Sequence, residues 1–170
     1  MLDPFCGVGV ILSEALLQNI HVIGIDINRE AIEKASKNLA WLRKKYNIKA
    51  NFKILRADSK KIILNKIDAI ATEPELGILL KEMPEKEKAE KIQREFETLI
   101  ISVFNNLKKY LKQDGKIAFT SPYIKTNKGR ISCDIKKIEK ETGLKQKGKG
   151  IQEFRDEQII GRIIFVLAKP

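Results

Sequence analysis

The sequence predicts an α/β fold, a doubly wound and mostly parallel seven-stranded sheet with an antiparallel last strand, and three patterns carry that prediction. Short apolar runs alternate with longer segments whose apolar residues recur at helical spacing. Turn residues separate the segments, as at Gly7-Val8-Gly9, Asp114-Gly115 and Gly143. The last two apolar runs face each other across Arg155-Asp156-Glu157, the pattern of a hairpin rather than a helical crossover. A length of 170 residues is enough for one sizeable core, so residues 1–170 are read as one domain.

The first strand is short, and it runs from Met1-Leu2-Asp3 through Pro4-Phe5-Cys6 into Gly7-Val8-Gly9. Glycine suits a tight turn that a ligand must approach closely, and the helix that follows offers free N–H groups and a positive dipole end. That helix is expected from Val8 to Asn19 with Val10, Ile11, Ala15 and Leu16 inward. The second strand, His21 to Asp26, ends in a carboxylate 19 positions after Gly7. Adenosine and dinucleotide folds carry their ribose-binding acid at about 20 residues past the glycines. Asn28 caps a long helix with Ala31, Ile32, Ala35, Leu39 and Leu42 on one face. The third strand is Asn51 to Arg56, followed by Asp58, and the fourth is Ile67 to Thr72, stopped at Glu73-Pro74.

From Pro84 the chain reads as a long helix whose stripe of Ile92, Phe96, Leu99, Ile100, Val103, Phe104, Leu107 and Leu111 ends at Asp114-Gly115. Lys116 to Thr120 is the fifth strand, running out at Ser121-Pro122-Tyr123 into a basic loop. A short helix from Asp134 to Thr142 is closed by Gly143, and two strands, Leu144 to Phe154 and Gln158 to Leu167, finish the chain.

Composition narrows the function. No run of eighteen apolar residues exists and no basic-then-apolar leader opens the chain, so a cytoplasmic protein with no membrane contact is expected. Cys6 and Cys133 lack CxxC spacing, which argues against a disulfide framework or a zinc site, and Cys6 reads as a small apolar filler. His21 is the only histidine, which excludes histidine triads and histidine metal clusters. No phosphate-loop motif occurs, and Leu12 stands where a dinucleotide fingerprint needs its third glycine. The net charge is +11, of which +9 lies between Lys108 and Lys149. A polyanion, nucleic acid first, is the partner this suggests, with lysines merely solvating helix faces as the alternative.

The string Asp3-Pro4-Phe5-Cys6-Gly7-Val8-Gly9 resembles the first motif of class I S-adenosylmethionine-dependent methyltransferases. It is most similar to the tRNA guanine N2 branch, the guanosine-10 enzymes and their THUMP-domain relatives. The resemblance implies a Rossmann-like sheet and S-adenosylmethionine as cofactor. It implies that Gly7 and Gly9 pass close to the methionine part, that Asp3 meets its ammonium group directly or through water, and that Phe5 belongs to the same cradle. Asp26 would accept both ribose hydroxyls, Ile27 would cover the adenine face, and Asp58 would accept from the adenine amine beside the Ser59 backbone. In an open α/β sheet the ligand crosses the carboxyl ends of the central strands, so Asp3, Asp26, Asp58 and Glu73 are expected to converge.

After the fourth strand this family carries an Asp or Asn, two prolines and an aromatic residue, which hold the amine and stack on a flipped base. Here the chain reads Glu73-Pro74-Glu75, so Glu73 would be the acceptor and a carboxylate replaces the ring. Losing the platform would cost base binding about 1–3 kcal/mol. Tyr123, from the loop after the fifth strand, is the candidate to restore it. The resemblance also implies a preceding helix and an RNA-binding region, so an N-terminal truncation is expected, with a partner chain or a homodimer covering an apolar patch beside the first strand. The function implied is methylation of an exocyclic guanine amine of RNA, tRNA above all, with Lys108–Lys149 on phosphate. The alternatives are an inactive subunit that binds cofactor or RNA, and a methyltransferase acting on DNA or protein.

Overall fold

The computed structural model describes residues 1–74, 80 and 82–170. They form two compact units, Met1–Thr72 with Asn106–Gly115, and Glu73–Asn105 with Lys116–Pro170.

The first unit holds β1 (Leu2–Asp3), α1 (Val10–Leu17), β2 (Val22–Asp26), α2 (Arg29–Lys45), β3 (Phe52–Arg56) and β4 (Ile67–Thr72). All four strands are parallel, in the order β3-β2-β1-β4. β1 needs only two residues because Leu2 is flanked by Ile23 on one side and Ile70 on the other, and both β1 side chains are buried. A buried cluster of Leu12, Ala15 and Leu16 from α1 with Leu39 and Leu42 from α2 forms the core beside β2. Val10 is not part of it: it is 67% exposed, because α1 starts at Val10 and its inner stripe is Leu12, Ala15 and Leu16. α1 lies so close to β2 that a Cβ on Gly24 would sit 2.4 Å from Leu12 Cδ1 and 2.9 Å from Cys6 Sγ. Asn28 caps α2 as expected, its side chain accepting from Ala31 N–H at 3.2 Å, and Arg43, Lys44 and Lys45 suit the negative end of the dipole.

An open groove at the N-terminal ends of these strands is lined by apolar residues such as Met1, Ile20 and Phe52 and by polar ones such as His21, Lys53 and Asp68.

The remaining elements are α3 (Lys86–Leu107), β5 (Leu111–Thr126), β6 (Gly129–Ile131), α4 (Ile135–Thr142), β7 (Lys145–Gln146), β8 (Ile151–Glu153) and β9 (Ile160–Ala168). In the second unit β9 runs antiparallel to β5, from Lys116↔Ala168 to Ile124↔Ile160, and both β7 and β8 pair with its other edge. The last strand is therefore antiparallel, as expected. α3 and α4 bury Phe104 and Ile138, and the Phe104 ring meets Phe119 of β5 edge-on at 5.2 Å.

Three boundaries differ from expectation. α3 ends at Leu107, so Leu111 opens β5 instead of closing the helical stripe. β5 continues through Asp114-Gly115 and through Pro122, whose carbonyl accepts from Gln93 Nε2 at 2.7 Å. The basic loop contains β6, folded back on the end of β5, and the expected strand at Leu144–Phe154 is split into β7 and β8 around Gly148, which has φ of 74°. With the short β6 and β8, nine strands occur among the described residues instead of seven. α4 matches expectation at both ends, with Asp134 as N-cap and Gly143 in the left-handed region. Among the described residues no helix is long and apolar enough to cross a membrane.

Candidate functional site

The turn after β1 is held from several sides. Gly7 and Gly9 take φ of 51° and 90°, where side chains are strained, and Gly9 N–H closes the turn on Cys6 O at 2.8 Å. A Cβ on Gly9 would also press to 3.4 Å from Ala35 Cβ of α2, whereas one on Gly7 would meet nothing within 4 Å. Gly7 is thus needed for its conformation and leaves its outer side open. Asp26 ends β2 with both oxygens engaged: Oδ2 accepts from Gly7 N–H at 2.9 Å and Oδ1 from Asn28 N–H at 2.8 Å. Each carboxylate oxygen has a further lone pair, so the acid that ties the turn to α2 can also accept two hydroxyls. Ile27 follows it, 70% exposed. Asn38 of α2 donates to Val8 O at 3.0 Å and secures the far side of the turn.

Asp3 is buried at 2% exposure, and its Oδ1 accepts from Thr72 Oγ1 at 2.6 Å and from Phe5 N–H at 3.1 Å. Phe5 is half-buried. Asp58 accepts from Lys60 N–H at 2.9 Å, and its carbonyl starts the turn that follows. Ser59 is buried and donates to Pro4 O at 2.7 Å, while its own carbonyl takes Asn106 Nδ2 at 3.2 Å. Asp3, Asp26 and Ser59 are thereby hydrogen-bonded to the one stretch between Pro4 and Gly7, with Asp58 next to Ser59. Burial, with Asp3 and Asp26 nearby, pushes the Cys6 thiol up to about 12, which makes it the filler the sequence suggested and no nucleophile.

Glu73, Pro74 and Tyr123 belong to the second unit. Glu73 Oε1 meets Arg162 Nε at 2.9 Å, and Pro74 is buried. Glu75 lies outside the described residues. Tyr123 lies within β5 and not in a loop, since the strand does not stop at Pro122. Its ring meets Phe154 at 5.4 Å, and Arg130 caps both rings while donating to Tyr123 O, Arg155 O and Gln158 O.

A family model described as a methyltransferase domain matches residues 1–159. The chain belongs to that family. Over 124 residues it is 37% identical to the tRNA (guanine(10)-N2)-dimethyltransferase of Methanothermobacter thermautotrophicus, a match covering 72% of this chain and 33% of that protein. It is 30% identical over 129 residues to a probable tRNA (guanine(10)-N2)-dimethyltransferase of Methanothermococcus thermolithotrophicus, covering 71% and 68%. The crystal structure of TrmN from Thermus thermophilus superposes with a TM-score of 0.66 at 19% identity, over 99% of this chain and 43% of that one. The chain therefore has the class I methyltransferase fold and spans a third of the first of these relatives.

Several residues of this methyltransferase domain escaped the reading of its sequence. Thr72 has a signal, because a sheet order with β4 beside β1 sets its hydroxyl near Asp3. Asn38 has none, being one more polar residue on a polar helix face. Arg162 interrupts an apolar run of nine residues in β9, which is a signal. The basic region is partly spoken for: Lys112 pairs with Asp68, Lys136 with Glu139 and Lys137 with Glu97. Lys116, Lys140, Lys147 and Lys149 are exposed and make no ion pair among the described residues.

Proposed function

We propose that this domain methylates an exocyclic guanine amine of tRNA with S-adenosylmethionine as donor. The observation that carries the cofactor part is Asp26, a carboxylate bonded to the backbone of the glycine turn with acceptor capacity to spare and an exposed Ile27 beside it. The open side of Gly7 and an α1 N-terminus without a side-chain cap suit the carboxylate and backbone of a methionine moiety. S-adenosylmethionine fits these residues, and when bound it supplies a methyl group on a sulfonium. In this reading Gly7, Gly9, Asp3 and Phe5 hold its methionine part, Asp26 its ribose, and Ile27, Asp58 and Ser59 its adenine.

On the acceptor side Glu73 takes a hydrogen bond from the guanine amine, which turns the nitrogen lone pair to the methyl carbon, and Pro74 stiffens the chain that presents it. Most of the acceleration in such a transfer comes from positioning. Tyr123, half-buried against Phe154, offers the aromatic surface on which the base stacks. Lysines of the Lys108–Lys149 region, among them Lys116, Lys140, Lys147 and Lys149, meet the phosphates. Support for tRNA comes from the named relatives, and the part of them that this chain does not span, on a partner chain or a second copy, would choose the nucleotide. A cytoplasmic location is part of the proposal.

Calorimetric titration with S-adenosylmethionine tests the first half, with micromolar binding that Asp26→Ala abolishes as the expected result. Transfer of labelled methyl to total tRNA, and not to DNA or protein, tests the second. Cofactor binding without transfer to tRNA would instead favour a binding subunit.

A further inference from the structure

β9 is apolar from Ile160 to Ala168 except at Arg162, and the ladder fixes where that residue stands: opposite Pro122 of β5 on one side and Glu153 of β8 on the other. Two flanking strands leave the arginine backbone little freedom. Its Nε pairs with Glu73 Oε1 at 2.9 Å, while the Glu153 carboxylate is farther, 4.0 Å from Nη1. The Arg162 and Glu73 side chains are 47% and 35% exposed, and ion pairs so open to water contribute little to stability. A charge placed in an otherwise apolar strand therefore calls for another role. The contact engages Oε1, and the second oxygen of a carboxylate has lone pairs to accept a further hydrogen bond. A glutamate has one more rotatable bond than the Asp or Asn that the resembled family uses here, and more rotamer freedom to lose when it engages a substrate.

We propose that Arg162 is a positioning residue for Glu73: held by β9, it anchors one carboxylate oxygen so that the other faces the amine of the incoming base. The proposal rests on the reading of Glu73 as the amine's acceptor. It predicts that the longer acceptor arm works only when tethered, so that the pair, and not the glutamate alone, replaces a shorter side chain.

The test is a double-mutant cycle in labelled-methyl transfer to tRNA, using the chain as it stands. Arg162→Ala is expected to lower kcat by about 10- to 100-fold, the scale of a small misplacement of a reacting group, with KM for tRNA nearly unchanged. Arg162→Lys, which keeps the charge without the planar Nε–H, should recover only part of the loss. In a Glu73→Ala background Arg162→Ala should cost less than about twofold more, because its partner is already gone. Equal losses in both backgrounds would mean that Arg162 acts only through the fold, and an unchanged kcat in Arg162→Ala would also overturn the proposal. Should the alanine variant fail to fold in a thermal melt, the lysine variant is read in its place. Full activity of Glu73→Ala, or no transfer by the parent chain, would overturn the acceptor reading itself and this inference with it.

Discussion

The glycine turn and the Glu73–Arg162 pair are built differently. In the turn, side chains bond to backbone: Asp26 to Gly7 and Asn28, Asn38 to Val8, Ser59 to Pro4. The pair is side chain to side chain, half-exposed, and joins residues far apart in sequence. Several bonds to backbone hold a geometry more firmly than one contact between mobile side chains, which suits the cradle proposed for the cofactor. A single tether between two long side chains is adjustable, which suits the acceptor proposed for the base. The comparison teaches that one chain can hold its candidate site residues with different stiffness, by backbone bonds in one place and by a side-chain ion pair in another.

Four measurements break or sharpen that contrast. The largest effect is expected of Asp26→Ala, which frees two backbone N–H groups together and should weaken S-adenosylmethionine binding by more than about 100-fold in calorimetry, as loss of two charge-assisted acceptors implies. Binding kept within about tenfold would show that the turn does not depend on its acid. Next, Tyr123→Ala should weaken tRNA substrate use by the stacking worth of one base, about 1–3 kcal/mol, read as a raised KM. An unchanged KM would leave the ring a packing partner of Phe154 and nothing more.

Thr72→Val comes third. It removes the buried donor to Asp3 and should cost about 1–3 kcal/mol in urea unfolding. The smallest effect concerns pH. Burial raises Cys6 to about 12 in the folded protein, so the neutral thiol is the folded form where the unfolded chain would already ionise. Its contribution is whole below the unfolded value near 9 and is lost as pH climbs toward 12, because there the unfolded state gives up a proton that the folded state retains. Stability should fall over that window in the parent chain, and less steeply in Cys6→Ala. Equal slopes would show that the thiol is more open to water than its burial indicates.

What the sequence revealed follows from which forces are local. The turn was legible because glycine and a strand-ending acid at fixed spacing have few other uses, and α4 was legible because Asp134 and Gly143 are capping residues whose bonds lie within the helix. The end of α3 was not, since Leu107 and Leu111 continue an apolar stripe that serves a helix and then a strand equally well. Pro122 misled for a related reason: it marks a strand end only where its missing N–H would be needed, and here its carbonyl does the bonding instead. The position of Tyr123 was lost with it. Arg162 stands out in its apolar run, but its meeting with Glu73 depended on the pairing register of three strands, which a single sequence does not display.

β1 has a consequence for how the protein is made. It contributes only Leu2 and Asp3, and its neighbours are Ile23 and Ile70. Such parallel pairings close long loops, so they form slowly, after local helices have come and gone many times. The glycine turn is carried on β1 and cannot be shaped before β4 arrives. Affinity for a small ligand should therefore emerge late in folding, with the zipping of the sheet, while helical signal appears early.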